Sequence, residues 1–312
     1  LFMIINVKEE KLTNYKFIPQ LTADGSWTFF SPEFGETFHS YFGAQQEAKY
    51  KFVYPVQLLS RIDRSVVYIL DICYGLGYNT ASALTAIWRV NPSCKVVQVG
   101  LELDPEVPKA AIAKGLLDSW PEPVPELLAT LGKTHQLQTD QIEAKLLTGD
   151  ARTTIQQLSN FSFQTDAIFL DPFSPPSCPQ LWTVEFLSLV SSCLKADGIL
   201  ATYSCSAAVR TALREAGLKI GSTMPVGRRS PGTVASFVEK NLPPLSQKEK
   251  EHLLTRASIP YRDPQLSDSS ETIVYRRQLE QQKSSLEPTS HWKKRWQNIK
   301  SKVYPPPLDP NC

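Results

Sequence analysis

The sequence predicts an α/β fold with a mostly parallel sheet in residues 61–240, flanked by two segments of different character. Three observations carry this expectation. Apolar strand candidates at 66–70, 96–101, 144–148, 166–170 and 198–203 alternate with helical patterns such as Ala81–Val90, Thr183–Leu194 and Ala207–Ala216. Runs such as A-I-F-L at 167–170 are near-continuously apolar, as in strands buried on both faces. The first strand runs into Asp71 and a turn holding Gly75 and Gly77, where the chain can turn sharply before a helix.

The flanks follow from composition. Residues 1–60 are aromatic and turn-rich: Thr22-Ala23-Asp24-Gly25-Ser26 is a turn signal and Trp27-Thr28-Phe29-Phe30 reads as a strand. Gly43–Leu59 is more helical, with Ala44, Ala48, Phe52 and Val56 at i, i+4 spacing, so the segment is expected to form a small β-rich cap ahead of the core. Within 61–240 a further strand pair is expected near 218–223 and 233–238. The insert 118–140 has no strand signal and reads as a helical excursion. Residues 241–312 form a C-terminal extension rich in Lys, Gln, Ser and Pro. Helices are expected at Leu245–Arg256 and Glu271–Ser284, then an extended Pro-rich tail. Trp292 and Trp296 stand at i, i+4 among cations, a stripe suited to packing on the core or to binding RNA.

Charge and cysteine usage exclude more than they assign. A net charge of +2 argues neither for nor against nucleic acid. No apolar run is long enough for a membrane span. The N-terminus lacks the basic lead and cleavage site of a signal peptide. The 6 cysteines are scattered without a C-x-x-C pair, so no zinc or redox motif is expected, and reduced thiols in a cytoplasmic protein are the simplest account.

The chemistry lies at the strand ends. Asp71-Ile72-Cys73-Tyr74-Gly75-Leu76-Gly77 follows the pattern D-x-G-x-G-x-G with Cys73 in place of the first glycine. Glu102 ends the second strand, where a carboxylate can take both hydroxyls of a ribose, and Asp104 competes for that role. Asp150 ends the third, placed to accept from an adenine amino group, and Asp171 ends the fourth. In this order the four acids resemble the S-adenosylmethionine site of a Rossmann-like class I methyltransferase. A dinucleotide is disfavoured, because Thr80 holds the third glycine position of G-x-G-x-x-G.

The fourth strand continues D-A-I-F-L-D-P-F-S-P-P-S-C-P-Q-L-W-T, a proline-stiffened loop presenting Asp171. Asp171, Phe173, Ser174, Pro175, Pro179, Leu181 and Trp182 resemble the loop of the family that completes 5-methylaminomethyl-2-thiouridine at the tRNA wobble position. Further similarities are Ser31, Gly35 and Glu36, the strand L-A-T-Y-S at 200–204, V-R-T-A-L-R-E-A-G at 209–217 and Gly227-Arg228-Arg229. The chain is similar to the methyltransferase half of that usually bifunctional enzyme, and its remaining length is too short for the flavin oxidase half. The resemblance implies N-methylation of 5-aminomethyl-uridine in tRNA, without oxidase activity. Asp171 would orient the amine and stabilise its developing charge. Asp71, Tyr74, Gly75, Gly77, Glu102, Asp150 and Glu36 would bind the cofactor. Phe173 and Trp182 would wall the site or stack on the uracil, and Arg228 and Arg229 would grip phosphates. Rival readings are an aminopropyltransferase like spermidine synthase, a methyltransferase for another amine, and a non-catalytic RNA-binding relic.

Overall fold

The computed structural model describes residues 17–303 apart from Ile62, Arg228, Arg229 and Asn241. The expected Pro-rich tail and the Arg228-Arg229 pair therefore lie outside the described residues.

The cap opens with three short antiparallel strands, β1 (Pro19–Leu21), β2 (Trp27–Ser31) and β3 (Glu36–Thr37). The turn between β1 and β2 is closed by Asp24, whose carboxylate accepts from Ser26 N at 3.0 Å and reaches Gln46 N at 2.9 Å. That second bond fixes the start of the helix Ala44–Glu47, which continues as a π-helix over Ala48–Val53. Its expected stripe of Ala44, Ala48 and Phe52 is buried.

The core is one eight-stranded sheet. Its strands are β4 (Val66–Ile72), β5 (Lys95–Glu102), β6 (Gln136–Gln138), β7 (Ile142–Thr148), β8 (Thr165–Leu170), β9 (Leu194–Thr202), β10 (Lys219–Ser222) and β11 (Thr233–Ser236), in the order β10-β11-β9-β8-β4-β5-β7-β6. The pairs β4–β5, β4–β8, β5–β7 and β8–β9 are parallel. Antiparallel β11 sits between β9 and β10. The insert 118–140 is not strandless: after the helix Val124–Thr134 it adds β6 antiparallel to the edge strand β7. Three residues with two glutamines carry too little alternation to signal a strand.

Side chains alternate between the two faces of the sheet. Val67, Ile69, Val96 and Phe169 point to a cluster with Phe52, Leu84 and Leu128, while Leu70, Ile72, Ile168 and Leu170 meet Ile155, Phe186 and Leu213. Helices therefore cover both faces. The strand order reverses at β4, with β5 on one side and β8 on the other. This is the switch point at which such sheets open a crevice beyond the strands' carboxyl ends.

The C-terminal extension is packed onto the second face. Tyr261 bridges to Thr183, Ile273 is fully buried, and Arg152 pairs with the buried Asp263 at 2.8 Å. The tryptophan stripe belongs to the helix Thr289–Val303. Trp292 stacks on His252 at 4.1 Å and Trp296 donates to Glu251 at 2.9 Å, so packing is its use within the described fold.

Candidate active site

A cavity of about 410 Å³ opens at the carboxyl ends of β4, β5 and β8, with the cap forming its other wall. Each acidic strand end meets it differently.

Glu102 faces the cavity and is held by backbone. Gly75 N donates to one carboxylate oxygen at 2.7 Å and Asp104 N to the other at 2.9 Å. Burial pushes its pKa up to about 7 against the lowering effect of those two bonds. Asp104 also lines the cavity, but one of its carboxylate oxygens caps the next helix through Glu106 N at 3.0 Å. Gly75 (φ 56) and Gly77 (φ 85) make the turn; a Cβ on Gly77 would lie 2.7 Å from the Tyr74 hydroxyl oxygen. Tyr74 and Gly75 line the cavity, and Gly77 caps the helix Tyr78–Val90 behind it.

Asp71 departs from its expected contact with a ligand. It is fully buried behind the turn and accepts from Thr80 Oγ1 at 2.7 Å, which staples β4 to the helix. Burial pushes its pKa up to about 7. Asp150 also stands outside the cavity lining. It caps the helix Ala151–Asn160 through Arg152 N and pairs with the Arg152 guanidinium at 2.7 Å.

Asp171 follows β8 and lines the cavity. Asn79 Nδ2 donates to its Oδ2 at 3.0 Å, and Tyr203 holds the next residue by donating to Pro172 O at 2.9 Å. Burial, and then the charge of Glu47, raise the Asp171 pKa well above the usual carboxylate range. Phe173 stacks on Phe34 at 4.4 Å and meets Phe38 edge-on at 5.1 Å, so an aromatic wall joins the loop to the cap.

Glu36 and Trp182 both support the Asp171 loop, and Trp182 thereby departs from its expected contact with a base. Glu36 lines the cavity, yet its carboxylate accepts from Ser174 N at 2.9 Å, from Ser177 Oγ at 2.7 Å and from Ser174 Oγ, clamping the Asp171 loop to β3. Trp182 is fully buried, so no base can stack on it. Its Nε1 donates to Phe173 O at 2.8 Å and braces the loop from behind.

Sequence reasoning missed Asn79, Phe38, Tyr203 and Glu47 as lining residues. Glu47 carried a usable signal, because Glu47 and Lys51 put an i, i+4 charge pair on the apolar face of the cap helix. His39 also lines the cavity, stacked on Tyr78 at 4.9 Å. Burial lowers its pKa to about 4, so it is neutral at pH 7.

The lining suits a cationic, phosphate-free ligand. Glu33, Glu36, Glu47, Glu102, Asp104 and Asp171 face it, and no lysine or arginine does among the described residues. Asn79 Oδ1 is buried without a protein partner, an acceptor for a ligand N–H or ammonium. Among the described residues no cluster of His, Cys, Asp or Glu could hold a metal ion, and no helix is long and apolar enough to cross a membrane.

Comparison with known proteins decides the family. The structure of MnmC2 from Aquifex aeolicus superposes with a TM-score of 0.75 at 36% sequence identity, over 86% of this chain and 86% of that one. The chain belongs to the MnmC methyltransferase-domain family. A family model described as S-adenosyl-L-methionine-dependent methyltransferase matches residues 108–237. The bifunctional MnmC of Ralstonia nicotianae, named for tRNA 5-methylaminomethyl-2-thiouridine biosynthesis, is 32% identical over 70% of this chain, and this chain covers 34% of its length. Protein MJ0670 of Methanocaldococcus jannaschii is 29% identical over 90% of this chain and 79% of its own. The fold is thus the Rossmann-like class I methyltransferase expected from the sequence, and S-adenosylmethionine is the cofactor, which the acidic, phosphate-free lining fits.

Proposed function

We propose that this MnmC-family methyltransferase methylates the 5-aminomethyl group of the wobble uridine in tRNA, giving 5-methylaminomethyl-(2-thio)uridine. tRNA as the macromolecular partner and the cytoplasm as the compartment belong to the same reading. The observation that carries it is Asp171, aimed by Asn79 into a cavity whose charged lining is carboxylate and whose wall is aromatic. The name of the bifunctional relatives supports the choice of amine.

S-adenosylmethionine supplies an electrophilic methyl group when bound, and Glu102 and the Tyr74-Gly75 turn are the residues that would hold it. The remaining work falls to the protein's own groups. An amine attacks only when neutral, and positive charge then develops on its nitrogen. The Asp171 carboxylate fixes the direction of the amine and stabilises that charge. Its raised proton affinity also suits it to accept a proton. Phe173, Phe34 and Phe38 exclude water on one side and offer ring faces to a flat base.

Methyl transfer from labelled S-adenosylmethionine to tRNA bearing 5-aminomethyl-uridine tests the reading. Label in 5-methylaminomethyl-uridine is the expected result. Cofactor binding with no transfer to this tRNA would remove the substrate assignment. Release of methylthioadenosine with added polyamine would favour aminopropyl transfer instead.

A further inference from the structure

Glu47 and Lys51 are 6% and 1% exposed on the buried face of the cap helix. Lys51 Nζ donates to Glu47 Oε1 at 2.9 Å, and Ser40 N donates to Oε2 at 2.6 Å. Stability is a weak account of the pair, because apolar residues of similar volume often serve as well or better. Glu47 also lines the same cavity as Asp171, and after burial it exerts the largest effect on Asp171, ahead of Asp71 and Lys51. Glu47 and Asp171 thus line one cavity, and Glu47 brings a lysine partner with it.

We propose that Glu47 is a positioning residue for Asp171: it turns a second negative charge toward the amine subsite, so that Asp171 takes up the proton an entering ammonium must lose. The inference rests on the amine-methyltransferase reading. In the step, one N–H bond of the substrate ammonium breaks, its electron pair stays on nitrogen, and an O–H bond forms on Asp171. An alkyl ammonium such as that of lysine holds its proton to about pH 10.4 in water. Transfer thus needs a carboxylate of raised proton affinity, which a neighbouring like charge provides. After burial, the groups that set this affinity are Glu47, which raises it, Asn79, whose hydrogen bond lowers it, Asp71 from β4, which raises it, and Lys51, which lowers it; Glu36 from β3 and Glu102 from β5 line the same cavity.

The test is a ¹³C-carboxyl NMR titration of cofactor-free protein, with the Asp171 signal identified by its loss in Asp171→Asn. In Glu47→Gln the Asp171 midpoint falls by about one pH unit or more, and Glu47→Asp restores part of the shift. The double variant Glu47→Gln/Lys51→Met leaves neither charge buried alone, which guards against misfolding, and its midpoint falls by less than in the single variant. The rising limb of kcat/KM against pH, measured on tRNA bearing 5-aminomethyl-uridine, moves with the midpoint. An Asp171 midpoint unchanged in both folded variants overturns the inference. A shifted midpoint in a protein that methylates no such tRNA overturns the substrate reading instead.

Discussion

Asn79 Nδ2 lies 3.0 Å from Asp171 Oδ2, so the second residue of the helix after the glycine turn aims the carboxylate that ends β8. The helix that follows the glycine turn and the acid that follows β8 are thereby fixed to each other. Asp171→Asn keeps the shape and removes the charge. Turnover is expected to fall by about 10²–10⁴-fold, the usual worth of a positioned acid or base. The dissociation constant for S-adenosylmethionine, measured by calorimetry, should move by only a few-fold. Turnover within threefold of wild type would remove Asp171 from the chemistry. Asn79→Ala deletes a bond that stabilises the charged form, so the rising limb of the pH–rate profile should move to higher pH.

Glu36 spans from β3 to the Asp171 loop and takes three hydrogen bonds from Ser174 and Ser177. Glu36→Ala leaves a backbone N–H and two hydroxyls without their acceptor, at a cost of about 1–3 kcal/mol. The loop is expected to loosen before the sheet does. Amide exchange at Phe173, Ser174, Ser177 and Cys178 should rise well above that of β8, and kcat should drop more than cofactor affinity. Equal exchange in variant and wild type would show that the prolines alone hold the loop.

Asp71 and Glu102 make stability depend on pH. Each has a folded pKa raised to about 7, above its ordinary carboxylate value. Between about pH 4 and 7 the native state keeps protons that the unfolded chain has released. Their contribution to stability is therefore fullest below about pH 4 and declines as pH rises to 7, by at most about 1.4 kcal/mol per pH unit for each carboxyl. Asp71→Asn retains an acceptor for Thr80 and removes one of the two slopes. Urea unfolding at pH 5 and at pH 7.5 measures it; the variant should lose less stability than wild type across that interval.

The parts of this fold legible in the sequence are those coded locally. Near-continuous apolar runs marked β4, β5, β8 and β9, and the acids at the ends of β4, β5 and β8 fell near one crevice because parallel strands share a direction. Which acids face the crevice was not local. Asp150 is followed two residues later by Arg152, which draws it into a helix cap and an ion pair. Trp182 closes the short helical turn Pro179–Trp182, where a buried brace and an exposed stacking platform have the same sequence; only the packing of Tyr203 and the Asp171 loop around it decides. Glu36 is separated from its serine partners by more than a hundred residues, so its clamp exists only in the folded chain.

Cys73 holds the position at which the motif carries its first glycine, and it adopts φ 64. The left-handed conformation costs an L-residue about 1–2 kcal/mol. Glycine there would relieve that cost but would lose about 0.5–1 kcal/mol to its freer unfolded chain. Cys73→Gly should therefore change stability by less than about 1.5 kcal/mol. The thiol itself is held protonated: burial, then Cys178, Glu102, Asp171 and Asp71, push its pKa well above the ordinary thiol value. Because the thiolate is the nucleophile, Cys73 should react with iodoacetamide at pH 7.5 at least tenfold more slowly than the same residue in urea-unfolded protein, although it lines the cavity. Peptide mapping after timed alkylation reads this directly. Rapid modification of native Cys73 would mean that burial and the surrounding acids together do not keep the thiol neutral.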